Sequence, residues 1–239
     1  MATIQMGKDG FTVWVTGMSG SGKTTLATQL GQRIRAVGRP VEVLDADELE
    51  KHNLSVALDA SKDDRNADVR RIGYIARLLS RNGVVAIVAA TSPHREARDQ
   101  NRKEIGRFVE VFADAPVEIL IARDSRGNYK RALSGELQNF IGITAPYEPP
   151  NNPEVAVKTH AEKVDVSVQQ ILQTLLDLGY LRPAEVSLMI GLKARRRPID
   201  RKRHSRPARA TRTVAKPAQA KPARKAHRPA KSSARRAKR

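Results

Sequence analysis

Cysteine is absent from all 239 residues, which excludes disulfides, thiolate metal sites and a cysteine nucleophile. No apolar run is long enough to cross a membrane, and the first ten residues are too mixed and polar for a signal peptide. The expectation is a cytoplasmic protein with no membrane partner. Acid is scarce at one end only. Between Lys193 and Arg239, Asp200 is the single carboxylate among 20 Lys and Arg, which leaves 24 basic and 24 acidic residues in positions 1–192. The net charge of +19 is therefore the charge of the tail on a neutral body, and the composition places a domain boundary near Leu192. Residues 193–239 are dominated by Lys, Arg, Ala and Pro. Such a segment cannot bury enough apolar surface to offset its ordering, so it is expected to be disordered. Its charge without aromatic rings suits attraction to a nucleic-acid phosphate backbone, without sequence preference.

What the body does contain is organised around Gly17-Met18-Ser19-Gly20-Ser21-Gly22-Lys23-Thr24-Thr25. The first eight residues fit the phosphate-binding loop of ATP- and GTP-binding proteins, G-x-x-x-x-G-K-[ST]. An apolar, β-branched run (residues 11–16) precedes it, and Leu26, Leu30, Ile34 and Val37 recur at helical spacing after it. Strand, glycine loop and helix are the context this motif requires. Gly17, Gly20 and Gly22 let backbone N–H groups around Ser19 and Ser21 turn toward a polyphosphate at the positive end of a helix. Lys23 would reach the β- and γ-phosphates and the Thr24 hydroxyl would hold Mg²⁺.

A second strand, residues 41–44, runs into Asp45-Ala46-Asp47. Carboxylates at the carboxyl end of a parallel strand face the ligand crevice of an α/β sheet. One suits orienting Mg²⁺ and the other accepting a proton from an attacking hydroxyl. Residues 48–62 read as a polar, irregular flap. A helix is expected from about Asp64 to Asn82, with Val69, Ile72, Ala76 and Leu79 on one face. A third strand (84–89) ends near Ser92, followed by a charged helix (94–105), a fourth strand (108–112) and a short helix from Pro116. Residues 123–131, Arg123 among them, are basic and glycine-containing, and suit a lid closing over a nucleotide. A weak fifth strand (155–157) and an amphipathic helix (164–178) complete a doubly wound parallel sheet, the P-loop kinase fold.

These residues together resemble the adenylylsulfate kinases. The likeness is carried by the strand and loop from Val13 to Thr25, by Leu44-Asp45-Ala46-Asp47, Asp64-Arg65, Arg70-Arg71-Ile72-Gly73, Ser92-Pro93, Arg123-Asp124, Tyr129-Lys130 and Pro146-Tyr147-Glu148, in the family's order from about residue 10 to 180. The resemblance implies an ATP-dependent kinase, usually dimeric, that phosphorylates the ribose 3′-hydroxyl of adenylylsulfate. It implies that Asp47 activates that hydroxyl and that Asp45 helps organise metal and acceptor. It also puts Ser92, the family's phosphorylated serine, beside Lys23 and Asp47 in the catalytic set, and gives Arg65 and Phe140 to the acceptor, Phe140 as one of two stacking rings.

The departures gather on the acceptor side. The arginine of the family's D-G-D-x-x-R is Glu50, the second stacking ring is Ala60, the asparagine before I-R-R is Asp68, the phenylalanine two positions before the serine is Ala90, the lysine of I-K-x-F is Gln138, and a lid arginine is Leu133. An Arg→Glu exchange changes the local charge by two units, against an anion. The residues thus leave three readings: an adenylylsulfate kinase, a kinase of this fold acting on another hydroxyl (nucleotide, sugar-like metabolite or nucleic-acid end), or a nucleic-acid-binding protein with a nucleotide switch.

Overall fold

The computed structural model describes residues 9–57 and 60–191. Five strands, β1 (Phe11–Thr16), β2 (Val41–Asp45), β3 (Val85–Ala89), β4 (Phe108–Asp114) and β5 (Val155–Lys158), form one sheet in the order β2-β3-β1-β4-β5. Every pairing is parallel. The helices are α1 (Lys23–Ala36), α2 (Ala46–Lys51), α3 (Lys62–Arg81), α4 (Arg95–Ile105), α5 (Val117–Ala122), α6 (Asn128–Leu133), α7 (Val164–Asp177) and α8 (Pro183–Gly191).

Alternation along the strands sends side chains to two cores. Phe11, Val13 and Val15 of β1 join Leu26, Leu30 and Ile34 of α1 and Val168, Ile171 and Leu172 of α7. Trp14, Ala86 and Val88 meet Val69, Ile72 and Ala76 of α3 on the other face. Helices on both faces explain why the central strands β1 and β3 are buried at every position. The chain winds first to one side of β1 and then to the other, so a ligand crevice opens at the carboxyl ends of the central strands.

Three elements depart from the sequence reading. The beginning of the expected flap is helical, because the Asp45 carboxylate accepts the Asp47 N–H at 2.9 Å and caps α2. The basic stretch after Arg123 runs into α6, whose N–H groups at Asn128 and Lys130 are taken by the Asp124 carboxylate. Beyond α7 lies α8, which opens on Pro183, a residue suited to the first helical turn. Its Val186 and Met189 are buried in the α1–α7 core. Its Glu185 makes a two-pronged ion pair with Arg39, at 2.7 and 3.0 Å, with both side chains almost wholly buried (3% and 0% exposed). Arg39 precedes β2 and lies over the ring of Phe11, the first residue of β1. The pair therefore sits at the amino ends of the strands, opposite the crevice. The expected disordered tail, residues 193–239, and the flap residues Leu58 and Asp59 lie outside the described residues.

Candidate active site

The turn from β1 into α1 depends on glycine. At Gly17 (φ +149°) a Cβ would lie 2.6 Å from the Ala113 carbonyl oxygen and 2.7 Å from Ser21 Oγ, and Gly22 (φ +91°) caps α1 in the left-handed region. The backbone of Ser19 to Gly22 thus curls in front of the helix, which opens on Lys23, Thr24 and Thr25. Lys23 Nζ donates to the Met18 carbonyl at 2.8 Å, across the mouth of the loop. Burial pushes its ammonium down to about 8, although Asp47 and Asp45 pull the other way. A charge held at that desolvation cost is one that a polyphosphate would stabilise.

Thr24 Oγ1 donates to Asp45 Oδ2 at 2.6 Å. Hydroxyl and carboxylate side by side, next to the phosphate loop, are hard oxygen ligands of the kind Mg²⁺ takes. Among the described residues no cluster of three or more His, Cys, Asp or Glu is placed to hold a metal. The donor set therefore fits an ion held mainly by phosphate oxygens and water, with one or two protein ligands.

Three cavities follow one another along the crevice. The central one, about 270 Å³, is lined by Lys23, Thr24, Asp45, Asp47, Arg123 and Arg126 among others. Gly20, Gly22, Thr25 and Arg123 also border a second, of about 320 Å³, closed by Thr159, Glu162 and Val164. Ala46, Asp47, Ala90 and Thr91 are shared with a third, of about 60 Å³, which reaches Glu50, Arg65, Asp68 and Ser92. Asp47 stands between the phosphate chamber and this third pocket. An in-line transfer needs such a carboxylate there, within reach of an acceptor hydroxyl facing the terminal phosphate.

The family model for adenylylsulphate kinase matches residues 9–158. The chain belongs to the adenylylsulfate kinase family. Curated relatives named adenylyl-sulfate kinase agree across their length: that of Rippkaea orientalis is 49% identical over 176 residues, 74% of this chain and 97% of that protein. That of Gloeothece citriformis is 49% identical over 177 residues, 74% and 100%. An APS kinase of Mycobacterium tuberculosis, solved in complex with AMPPNP and APS, is 36% identical with a TM-score of 0.66, covering 71% of this chain and 99% of its own. The family member described here is an ATP-dependent kinase.

Within this family frame the remaining expected residues are not all at the crevice surface. Arg65 lines the third pocket, with Nε on the Ala60 carbonyl and Nη2 on the Asn139 carbonyl, so it also holds the flap and the residue before Phe140 together. Phe140 is buried against Tyr129 at 4.9 Å, edge to face, and borders none of the three cavities. The resemblance gives this ring to the acceptor. Ser92 is 2% exposed and sits at φ +36°. Its hydroxyl accepts from Trp14 Nε1 at 2.9 Å and lies 3.1 Å from both Thr16 Oγ1 and the Ala90 carbonyl. Arg123 borders both nucleotide-side cavities, with Nη2 toward the Thr159 carbonyl at 3.3 Å.

Three residues have roles that composition does not signal. Arg98, 1% exposed, donates to Glu110 and to the carbonyls of Ser92 and Glu148, which fixes the turn after β3. Tyr129 donates to the Ser19 carbonyl at 2.7 Å and ties the lid to the phosphate loop. Arg126 Nη1 meets Asp47 Oδ2 at 2.6 Å. Asp68, beside Arg65, is held above the ordinary carboxylate range by burial, against hydrogen bonds from Ser55 and the Val56 backbone.

Proposed function

We propose that this protein transfers the γ-phosphoryl group of ATP to the 3′-hydroxyl of adenylylsulfate. The observation that carries the reading is the place of Asp47, which borders both the phosphate chamber and the small acceptor pocket. The nucleotide's triphosphate would lie along Ser19–Thr25 with Lys23 on its β- and γ-phosphates, and its base would fill the cavity beyond Arg123. Mg²⁺, when bound beside Thr24 and Asp45, would neutralise the developing charge on the phosphates. Asp47 accepts the hydroxyl proton, Arg65 borders the acceptor, and Ser92 positions the wall behind Thr91 through its buried hydrogen bonds. Steady-state assays with ATP and adenylylsulfate test this. Formation of ADP with the 3′-phosphorylated product in equal amounts is expected, and ADP formation that ignores adenylylsulfate would point to another hydroxyl.

The kinase domain spans residues 1–192 and works as a homodimer, as the resemblance implies. The basic segment 193–239 is a separate nucleic-acid-binding arm, supported by its 20 cationic residues against one acid. Its affinity for duplex DNA should fall steeply with salt and vary little with sequence. Equal DNA affinity with and without the segment at low salt would end that assignment.

A further inference from the structure

One wall of the acceptor pocket belongs to no helix or strand. Ser55, Val56 and Ala57 line that pocket and border neither of the nucleotide-side cavities. The helix before them is secured by itself. Asp45 caps the start of α2, and its end is closed where the Leu54 N–H meets the Leu49 carbonyl at 2.9 Å. From Ser55 onward the backbone needs another anchor.

That anchor is a side chain of α3. Asp68, 6% exposed, takes the Ser55 hydroxyl on Oδ2 at 2.7 Å and also accepts from the Val56 N–H. Its Oδ1 accepts from Arg71 Nη1 at 3.2 Å, and Arg71 reaches in from the surface. Two consecutive residues of the wall thus hang on one carboxylate. Three donors suit a group with two acceptor oxygens and no hydrogen. Asparagine, which the resemblance puts at this place, has one acceptor oxygen and would turn an NH₂ group toward another donor. A free carboxylate here would repel an anionic acceptor; one committed to three donors is part of the pocket's frame.

The anchor is sensitive to pH. Burial is the largest influence on Asp68 and holds its carboxyl above the ordinary carboxylate range, against Ser55, Val56, Arg71 and Arg65. All three bonds need the ionised form, which is complete above that raised value and is lost as pH falls through it. The charged groups around it are Arg65 and Arg71 on α3 and, sharing the pocket, Asp47 and Glu50 on α2. The turn after β3 brings Thr91, Ser92 and Pro93, which do not titrate in this range.

We propose that Asp68 is a positioning residue for the acceptor: it fastens Ser55 and Val56 to α3 and so fixes the wall against which the acceptor is bound. It acts through the backbone it holds and not on the reacting atoms. Loss of the fastening loosens the acceptor pocket and leaves the phosphate chamber, built on β1, α1 and the start of α2, in place. This rests on the reading that the third pocket receives adenylylsulfate.

The test uses the full chain as wild type, Asp68→Ala, Asp68→Asn and Ser55→Ala. Asp68→Ala should raise KM for adenylylsulfate about tenfold or more, while KM for ATP stays within about twofold and kcat within about threefold, the signature of a loosened acceptor site. Ser55→Ala, which removes one bond and no charge, should raise acceptor KM about threefold or more. Asp68→Asn keeps one acceptor oxygen and should fall between wild type and Asp68→Ala. Lowering the pH from about 7 to about 5 should raise acceptor KM in wild type more than in Asp68→Asn, which has no proton to take up there. Hydrogen exchange at the Val56 amide, followed without substrate, should be about fivefold faster or more in Asp68→Asn. An unchanged acceptor KM in Asp68→Asn and Ser55→Ala, a rise in KM for ATP as large as that for acceptor, or parallel pH profiles for wild type and Asp68→Asn overturns the proposal. Wild type that turns over no adenylylsulfate overturns the acceptor reading itself; faster exchange at Val56 in Asp68→Asn then still supports the fastening, and unchanged exchange overturns it.

Discussion

Two arginine–carboxylate pairs, one at each end of the sheet, have opposite uses. Arg39–Glu185 lies at the amino ends of the strands, two-pronged and sealed from solvent, and clamps α8 to the core. Arg126–Asp47 lies at the carboxyl ends, single-pronged and open to water. Burial decides the difference. A sealed pair cannot lose a partner without stranding a charge, so it serves as a fastener; an open pair exchanges partners at little cost, so it can take part in a reaction cycle.

The comparison breaks most visibly at Glu185. Glu185→Ala strands the Arg39 guanidinium and should cost about 3–5 kcal/mol of stability by denaturant unfolding, while kcat of the folded fraction stays near that of wild type. Burial opposes the Glu185 charge, but Arg39 and the Arg182 N–H prevail and hold its carboxyl below the usual range. Its contribution is thus present above the unfolded-state value and is lost as pH falls through the lower folded value, which acid titration of stability will read. An equal loss of stability at neutral pH in Arg126→Ala would remove the distinction.

Next in size is Lys23→Ala. Removing a preorganised cation from the phosphate chamber should lower kcat/KM by about 10²–10³-fold or more, with the fold retained. Wild-type-like turnover would dismiss the phosphate-loop assignment. The same side chain predicts a pH effect. Its free-enzyme pKa of about 8 means that the charge ATP needs is present below that pH and lost above it. ATP affinity measured by calorimetry should therefore fall roughly tenfold between pH 7 and pH 9. A flat profile would mean that the ammonium is not the group polyphosphate meets. The smallest effect belongs to the open pair: Arg126→Ala should change unfolding free energy by only about 0–1 kcal/mol.

The donor half of the site was legible because its chemistry is local. Gly17, Gly22, Lys23 and Thr24 act through backbone shape and a helix terminus within nine residues, and the apolar strands on either side carry their own signal. The long amphipathic α3 was legible for the same reason. Short α2 was not, since a six-residue polar helix is made by one cap, Asp45, and periodicity has nothing to act on. The start signal of α8 was present in Pro183 and Glu185, but its anchor, Arg39, lies 146 residues away. Distance in the chain hid Arg126 as well: it meets Asp47 across 79 residues, and nothing in a basic loop says which carboxylate it will find.

The chain contains a single tryptophan. Trp14 is fully buried in β1, its ring 5.8 Å from that of Phe108 and its N–H on the Ser92 hydroxyl. Ser92 borders the acceptor pocket, and its hydroxyl also lies against Thr16, which shares a hydrogen bond with Tyr147. Indole emission from the unlabelled protein therefore comes from one place, wired through one hydroxyl to the acceptor wall. The molecule carries its own optical gauge, aimed at the acceptor half of the crevice.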